Sequence, residues 1–213
     1  MSCHTPTIYN FDTPLEQKRF LRKRAKDALK EYCADSALME SASLSALKSV
    51  TESQEYKNAE YFLGFMPMKD ELDILPLMKQ ALKDGKKVFI PRMAVSGNQM
   101  DFYQIQDFDT SFTEDNPYHI KEPLETCPIL DVASLPENSF ICVPGLVFNL
   151  EGARLGRGKG YYDTFLHRLL NYEKQVLCGV CFTICVTKAI PMEKHDLTVN
   201  HLLNEYGFIS LHR

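Results

Sequence analysis

One stretch constrains this chain more than any other. Residues 143–165 read VPGLVFNLEGARLGRGKGYYDTF and hold half of the ten glycines: Gly145, Gly152, Gly156, Gly158 and Gly160. Arg154, Arg157 and Lys159 stand among them, and Tyr161, Tyr162 and Asp163 follow. An apolar run at 140–143 feeds the loop, and an amphipathic run at 161–170 leaves it, with Phe165, Leu166 and Leu169 on its inward face. Strand, glycine-rich loop and helix together bring backbone N–H groups onto a phosphate. The cations add charge-assisted hydrogen bonds to the same target. An aspartate beside bound phosphates is suited to hold a divalent metal through oxygen.

Spacing alone does not name the ligand. The loop is not a P-loop, because no Gly-Lys-Ser/Thr follows at the required distance. It is not the dinucleotide fingerprint either, because the third glycine comes one residue early. A solvated basic connection is the competing reading.

At 213 residues the chain is expected to form one domain, residues 14–213, behind a loose extension at 1–13. A net charge of −4 argues against a general nucleic-acid binder, although a local basic patch can still hold a small anion. The longest apolar run, 176–186, is about half a membrane span, and Gly179 and Thr183 interrupt it. No basic segment followed by an apolar one opens the chain, so no secretory leader is expected. The seven cysteines are scattered. Cys178 and Cys181 spell C-x-x-C, but inside an apolar strand and without a second ligand pair, so they read as small core residues. Reduced thiols imply a cytoplasmic setting.

Pro14 can open a helix. Residues 15–32 place Leu21, Ala25, Ala28, Leu29 and Tyr32 at helical spacing, opposite a basic face that includes Lys18 and Arg22. Four residues apart, those two cations share one face. Further helices are expected at 35–50 and 75–83. Strands are expected at 60–66, 87–91, 100–105, 140–143, 175–182 and 206–211, with 56–58 as a polar connection. Asp70, Glu71 and Asp73 suit the opening of the helix that follows them. His119 reads as a surface turn residue, and His195-Asp196 as a possible pair in a polar loop. Alternation of strands and helices implies a layered α/β fold with a largely parallel sheet and ligands at the carboxyl ends of the strands.

Val143-Pro144-Gly145-Leu146-x-Phe148, followed by Gly152-x-Arg154-Leu155-Gly156-x-Gly158-x-Gly160-Tyr161-Tyr162-Asp163, closely resembles the signature of the 5-formyltetrahydrofolate cyclo-ligases, or methenyltetrahydrofolate synthetases. Shorter matches are Lys18-Arg19-Phe20-Leu21-Arg22, Gly85-Lys86-x-Val88-x-x-Pro91-Arg92 and Ile120-x-Glu122-Pro123. The resemblance covers about residues 15–211 and departs at Ile74, His119, Asn149 and Asn200, where the family often has Thr, Gly, Asp and an acidic residue.

The resemblance implies a three-layer Rossmann-like α/β fold and ATP-dependent closure of 5-formyltetrahydrofolate to 5,10-methenyltetrahydrofolate, with ADP and phosphate released. It assigns ATP to Lys18, Arg19, Phe20, Leu21 and Arg22 and to the loop Arg154, Leu155, Gly156, Arg157, Gly158, Lys159, Gly160, Tyr161 and Tyr162. It assigns the folate to Met66, Glu71, Met100, Phe102 and Tyr161, and Mg²⁺ to Asp163 and Asp196. Arg157, Lys159 and Tyr161 are the expected catalytic residues. The implied partners are small molecules, with no nucleic acid and no membrane, and the chain is expected to be a monomer. Two other readings stay open. One is a non-catalytic nucleotide- or folate-binding protein on the same fold. The other is a sugar-phosphate isomerase, which needs an acid/base pair at the strand ends that the sequence does not offer.

Overall fold

The computed structural model describes residue 11 and residues 13–94, 97–114, 121–193 and 196–211. His119, Ile120 and His195 lie outside them. Helix α1 (Pro14–Tyr32) starts where expected, because Thr13 caps it by accepting from the Glu16 N–H at 3.2 Å. Asp35 caps α2 (Ser36–Glu52) through the Ala37 and Leu38 N–H groups. Residues 56–58 were expected as a connection but lie in a short helix, α3 (Gln54–Asn58), capped by Ser53. Its Tyr56 is buried and donates to Asp84 at 2.7 Å, and that contact fixes the turn.

Strand β1 (Tyr61–Leu63) is shorter than the apolar run it lies in. The Gly64 N–H still donates to Phe89, and beyond it the chain leaves the sheet. Helix α4 (Leu75–Lys83) follows, with Pro76 in its first turn. Of the three acids ahead of it, Asp73 accepts from the Leu75 N–H at 2.8 Å, while Asp70 and Glu71 bind elsewhere.

Next come β2 (Lys87–Met93), β3 (Met100–Ile105), β4 (Phe112–Thr113), β5 (Glu122–Pro123) and β6 (Phe140–Pro144). The loop after β6 then folds a small hairpin, β7 (Val147–Phe148) with β8 (Arg154–Leu155), before α5 (Tyr161–Leu166). Helix α5 is shorter than its amphipathic run, and beyond its end the Arg168 side chain donates to Met100 O and Asp101. Phe165, Leu166 and Leu169 are nonetheless buried. Strands β9 (Val176–Val180), β10 (His201–Asn204) and β11 (Gly207–Ser210) end the chain.

Seven strands form one sheet in the order β11-β10-β9-β6-β1-β2-β3. The inner pairings are parallel and both outermost ones are antiparallel. Register sets the layers, because residues paired across strands share a face and sequence neighbours alternate. Phe140, Phe62, Val88 and Ile105 are paired in one row. Tyr56 of α3 packs edge-on against Phe62 and Phe140, and Met78 of α4 covers Gly64 on that face. Phe102 lies three residues from Ile105, so it faces the other way, where its ring meets Phe165 of α5 at 4.5 Å. The result is three layers, helix, sheet and helix. From the centre the chain runs from β1 to β2 in one direction and from β6 to β9 in the other. A crevice therefore opens beyond the ends of β1 and β6.

His201, the first residue of β10, is stacked on Phe208 at 4.9 Å, with Glu55 at 3.7 Å. Burial lowers its pKa from 6.5 more than Glu55 restores it. The unfolded chain therefore takes up this proton first. Its stabilising contribution is full above the ordinary imidazole value and is lost as pH falls through the lowered one. His201→Phe, which can keep the stack, is expected to flatten the decline in melting temperature between about pH 7 and about pH 5.5. An unchanged decline on thermal melts would contradict this.

Candidate functional site

The crevice holds a cavity of about 350 Å³. Its walls come from the carboxyl ends of three strands. Phe65, Met66, Met68 and Glu71 follow β1, Pro91 and Met93 end β2, and Pro144, Gly145 and residues 156–163 follow β6. Arg22, Met100, Lys121, Glu122 and Arg154 complete the lining. One wall is thus methionine-rich and apolar, and the other is the glycine loop.

The loop keeps its shape through backbone that only glycine takes without strain. Gly158 and Gly160 have φ of 100° and 76°, and Gly160 precedes α5 as its N-cap. Arg154 lies beneath the loop, its side chain 5% exposed, where it bonds Pro144 O at 3.2 Å and pairs with Asp163. Arg22 reaches up from α1 and donates to Gly156 O at 2.9 Å. The Lys159 side chain has no ion-pair or hydrogen-bond partner among the described residues and is exposed. Asn149 is buried, and its side-chain oxygen accepts from the Glu151 and Ala153 N–H groups at 3.1 and 2.7 Å. A carboxylate could accept the same two bonds, so asparagine preserves this turn.

Arg157 crosses the cavity mouth to the loop after β1. It bonds Asp70 at 2.6 Å and Glu71 at 3.1 and 3.2 Å. Burial works against its charge, but the two carboxylates outweigh it and hold the guanidinium pKa above its ordinary value. Lys18 forms a second clamp, at 2.7 Å from Glu193 and 3.1 Å from Asp196. Burial opposes that charge too, and the two acids again raise its pKa. The Tyr162 hydroxyl has no hydrogen-bond partner among the described residues and is fully buried; burial pushes its pKa well above the ordinary value, so it stays protonated.

The cavity therefore brings together Arg22, Arg154, Gly156, Arg157, Gly158, Lys159, Gly160, Tyr161, Tyr162, Asp163, Met66, Glu71 and Met100. Other expected site residues sit outside its lining. Phe102 is buried against Phe165, and Leu155 is buried in the β7–β8 hairpin. Phe20 packs on Phe11, Arg19 is exposed, and Leu21 rests on the core. Lys18 and Asp196 pair with each other at 3.1 Å.

Ile74 is fully buried. Asn200 sits where β9 and β10 begin, at the opposite end of the sheet. There its side chain accepts from the Leu177 N–H and donates to Gln175 O, both at 2.8 Å. The donated bond needs an amide, which an acidic residue lacks.

Among the described residues no group of three or more His, Cys, Asp or Glu is set to hold a metal. Cys178 and Cys181 are buried free thiols, and burial raises both pKa values well above normal. That environment makes them inert. No described helix is long and apolar enough to cross a membrane.

Fold and site define a class: an open α/β protein with a cationic glycine loop at the switch point of its sheet, facing an apolar wall. The model of the 5-formyltetrahydrofolate cyclo-ligase family matches residues 14–205. The mouse 5-formyltetrahydrofolate cyclo-ligase is 31% identical over 191 residues, 88% of this chain and 93% of the relative. The Saccharomyces cerevisiae enzyme of the same name is 29% identical over 214 residues, 90% of this chain and 97% of its own. The solution structure of Aquifex aeolicus 5,10-methenyltetrahydrofolate synthetase superposes with a TM-score of 0.69 at 30% identity, covering 92% of this chain and 93% of that one. The chain belongs to the 5-formyltetrahydrofolate cyclo-ligase family.

Proposed function

We propose that this chain performs the reaction for which its family is named, the ATP-dependent closure of 5-formyltetrahydrofolate to 5,10-methenyltetrahydrofolate. The observation that carries the reading is the two-sided cavity, with cationic glycine loop on one wall and methionines on the other. A formamide oxygen is a poor leaving group. The γ-phosphoryl group of ATP is therefore transferred to it first, leaving ADP. N10 then attacks the formyl carbon and loses its proton, the C–O bond breaks, and phosphate departs. Phosphoryl transfer mainly requires positioning and charge neutralisation.

In this reading Arg22 and the loop from Arg154 to Tyr162 hold the ATP phosphates, with Lys18 contributing. Arg157 and Lys159 neutralise charge on the transferring group. Tyr161, Met66 and Met100 face the folate. Asp163 and Asp196 would hold Mg²⁺. Carboxylate oxygens are the kind of hard donor that Mg²⁺ takes, so both side chains are chemically suited to it. The ion would add positive charge at the phosphates. Lys18 and Arg154 guard these carboxylates now. The chain works as a monomer in the cytoplasm, in keeping with its unpaired described thiols. Residues 14–213 act as one domain.

The test is the near-ultraviolet rise of methenyltetrahydrofolate on mixing protein, 5-formyltetrahydrofolate, Mg²⁺ and ATP. A rise that vanishes without ATP is the expected result. A folded protein that binds ATP and gives no rise would instead be a binding protein.

A further inference from the structure

We propose that Glu122 reads the pterin end of the substrate, accepting hydrogen bonds from its ring N3–H and 2-amino groups; this rests on the folate reading above. Glu122 is a carboxylate 8% exposed that lines an apolar part of the cavity. One oxygen accepts from the Met93 N–H at 3.2 Å. The other has no hydrogen-bond partner among the described residues. That oxygen is not sealed off from the cavity Glu122 lines, so it is free to accept from a ligand there.

The neighbouring carboxylates are already engaged. Glu71 gives one oxygen to Arg157 and the other to the Met68 N–H at 3.0 Å. Asp163 is held by Arg154. Among the lining carboxylates Glu122 is the buried one, it keeps one oxygen unused, and its place is fixed. Arg92 donates to Pro123 O at 2.8 Å and to Glu125 at 2.9 Å, which stitches this segment onto β2. Met93 and Met100, paired across β2 and β3, flank it with flat apolar surface.

A reduced pterin matches this arrangement. Its ring stacks on apolar side chains, while N3–H and the 2-amino group form two adjacent donors on one edge. A carboxylate accepts such a pair, as it accepts the two N–H groups of a guanidinium. The opposite wall, with Arg157 and Lys159, is then left to the formyl group and phosphates. Glu122 thus fixes which way round the substrate lies.

Glu122→Gln can keep the Met93 bond through its amide oxygen but presents a donor to the pterin's donors. It is expected to raise KM for 5-formyltetrahydrofolate about 30-fold and leave KM for ATP nearly unchanged. In wild type, the 2-desamino-2-methyl analogue of the substrate is expected to suffer a similar penalty, and E122Q is expected to remove the preference between the two substrates. Should E122Q fail to fold, the wild-type comparison of the two substrates still decides. Equal use of both by wild type, or an unchanged KM in folded E122Q, overturns the proposal while leaving the reaction standing. Wild type without ATP-dependent product overturns the reaction and the proposal together.

Discussion

Replacing Arg157 by alanine is expected to lower kcat/KM by about 100- to 1,000-fold while the protein stays folded, on the scale of losing one preorganised donor to developing charge. Two effects act in the same direction. The first is loss of a guanidinium at the cavity wall, where the transferring phosphoryl group needs its charge balanced. The second is exposure of Asp70 and Glu71, which Arg157 now neutralises at 2.6 and 3.1 Å. Unpaired, those two carboxylates would repel the phosphates of ATP. Arg157→Lys is expected to recover only part of the activity, because an ammonium cannot reproduce the planar fork that spans both acids. Steady-state rates from the rise of methenyltetrahydrofolate absorbance, with melting curves for each variant, make the comparison. Activity of Arg157→Ala within threefold of wild type would remove Arg157 from its proposed role.

The second large effect falls on stability. Gly152→Ala is expected to cost about 3 kcal/mol, from a left-handed backbone that disfavours a side chain and from overpacking. Gly152 has φ of 84°, and a Cβ there would lie 2.1 Å from the Val199 carbonyl oxygen. Backbone cannot give way as a flexible side chain does. The contact also serves a purpose, because the Val199 N–H donates to Gly152 O at 2.8 Å and ties the β7–β8 hairpin to the chain entering β10. For a chain of this size the melting temperature should fall by about 6–12 °C. Gly85 is the control, with φ of 78° and no atom within 4 Å of its added Cβ. An alanine at Gly152 that melts no lower than one at Gly85 would contradict the steric account.

The two halves of the site were unequally legible. The glycine loop announced itself because its signal is local: glycines where the backbone takes positive φ, with cations between them. Helix α1 was equally plain, since Pro14 opens it and Leu21, Ala25, Ala28, Leu29 and Tyr32 keep helical spacing. The partners of the cations were not legible. Lys18 meets Asp196 across 178 positions and Arg157 meets Asp70 across 87. No local pattern encodes such pairs. Phe102 looked like a pocket residue and proved to be core, because strand alternation does not say which face meets α5. Glu122 stood inside a recognisable short motif, but its burial depends on Arg92 drawing that segment onto β2.

By itself, then, the sequence determined the α/β class, the cation-bearing glycine loop, and the family to which the chain belongs. These follow from local chemistry: backbone freedom, periodicity, capping and a motif of fixed spacing. Only the tertiary structure decided the far wall of the cavity, the acids that hold Arg157 and Lys18, and the spare acceptor on Glu122. Those depend on strand order, because the segments after β1, β2 and β6 meet when the sheet sets their ends side by side.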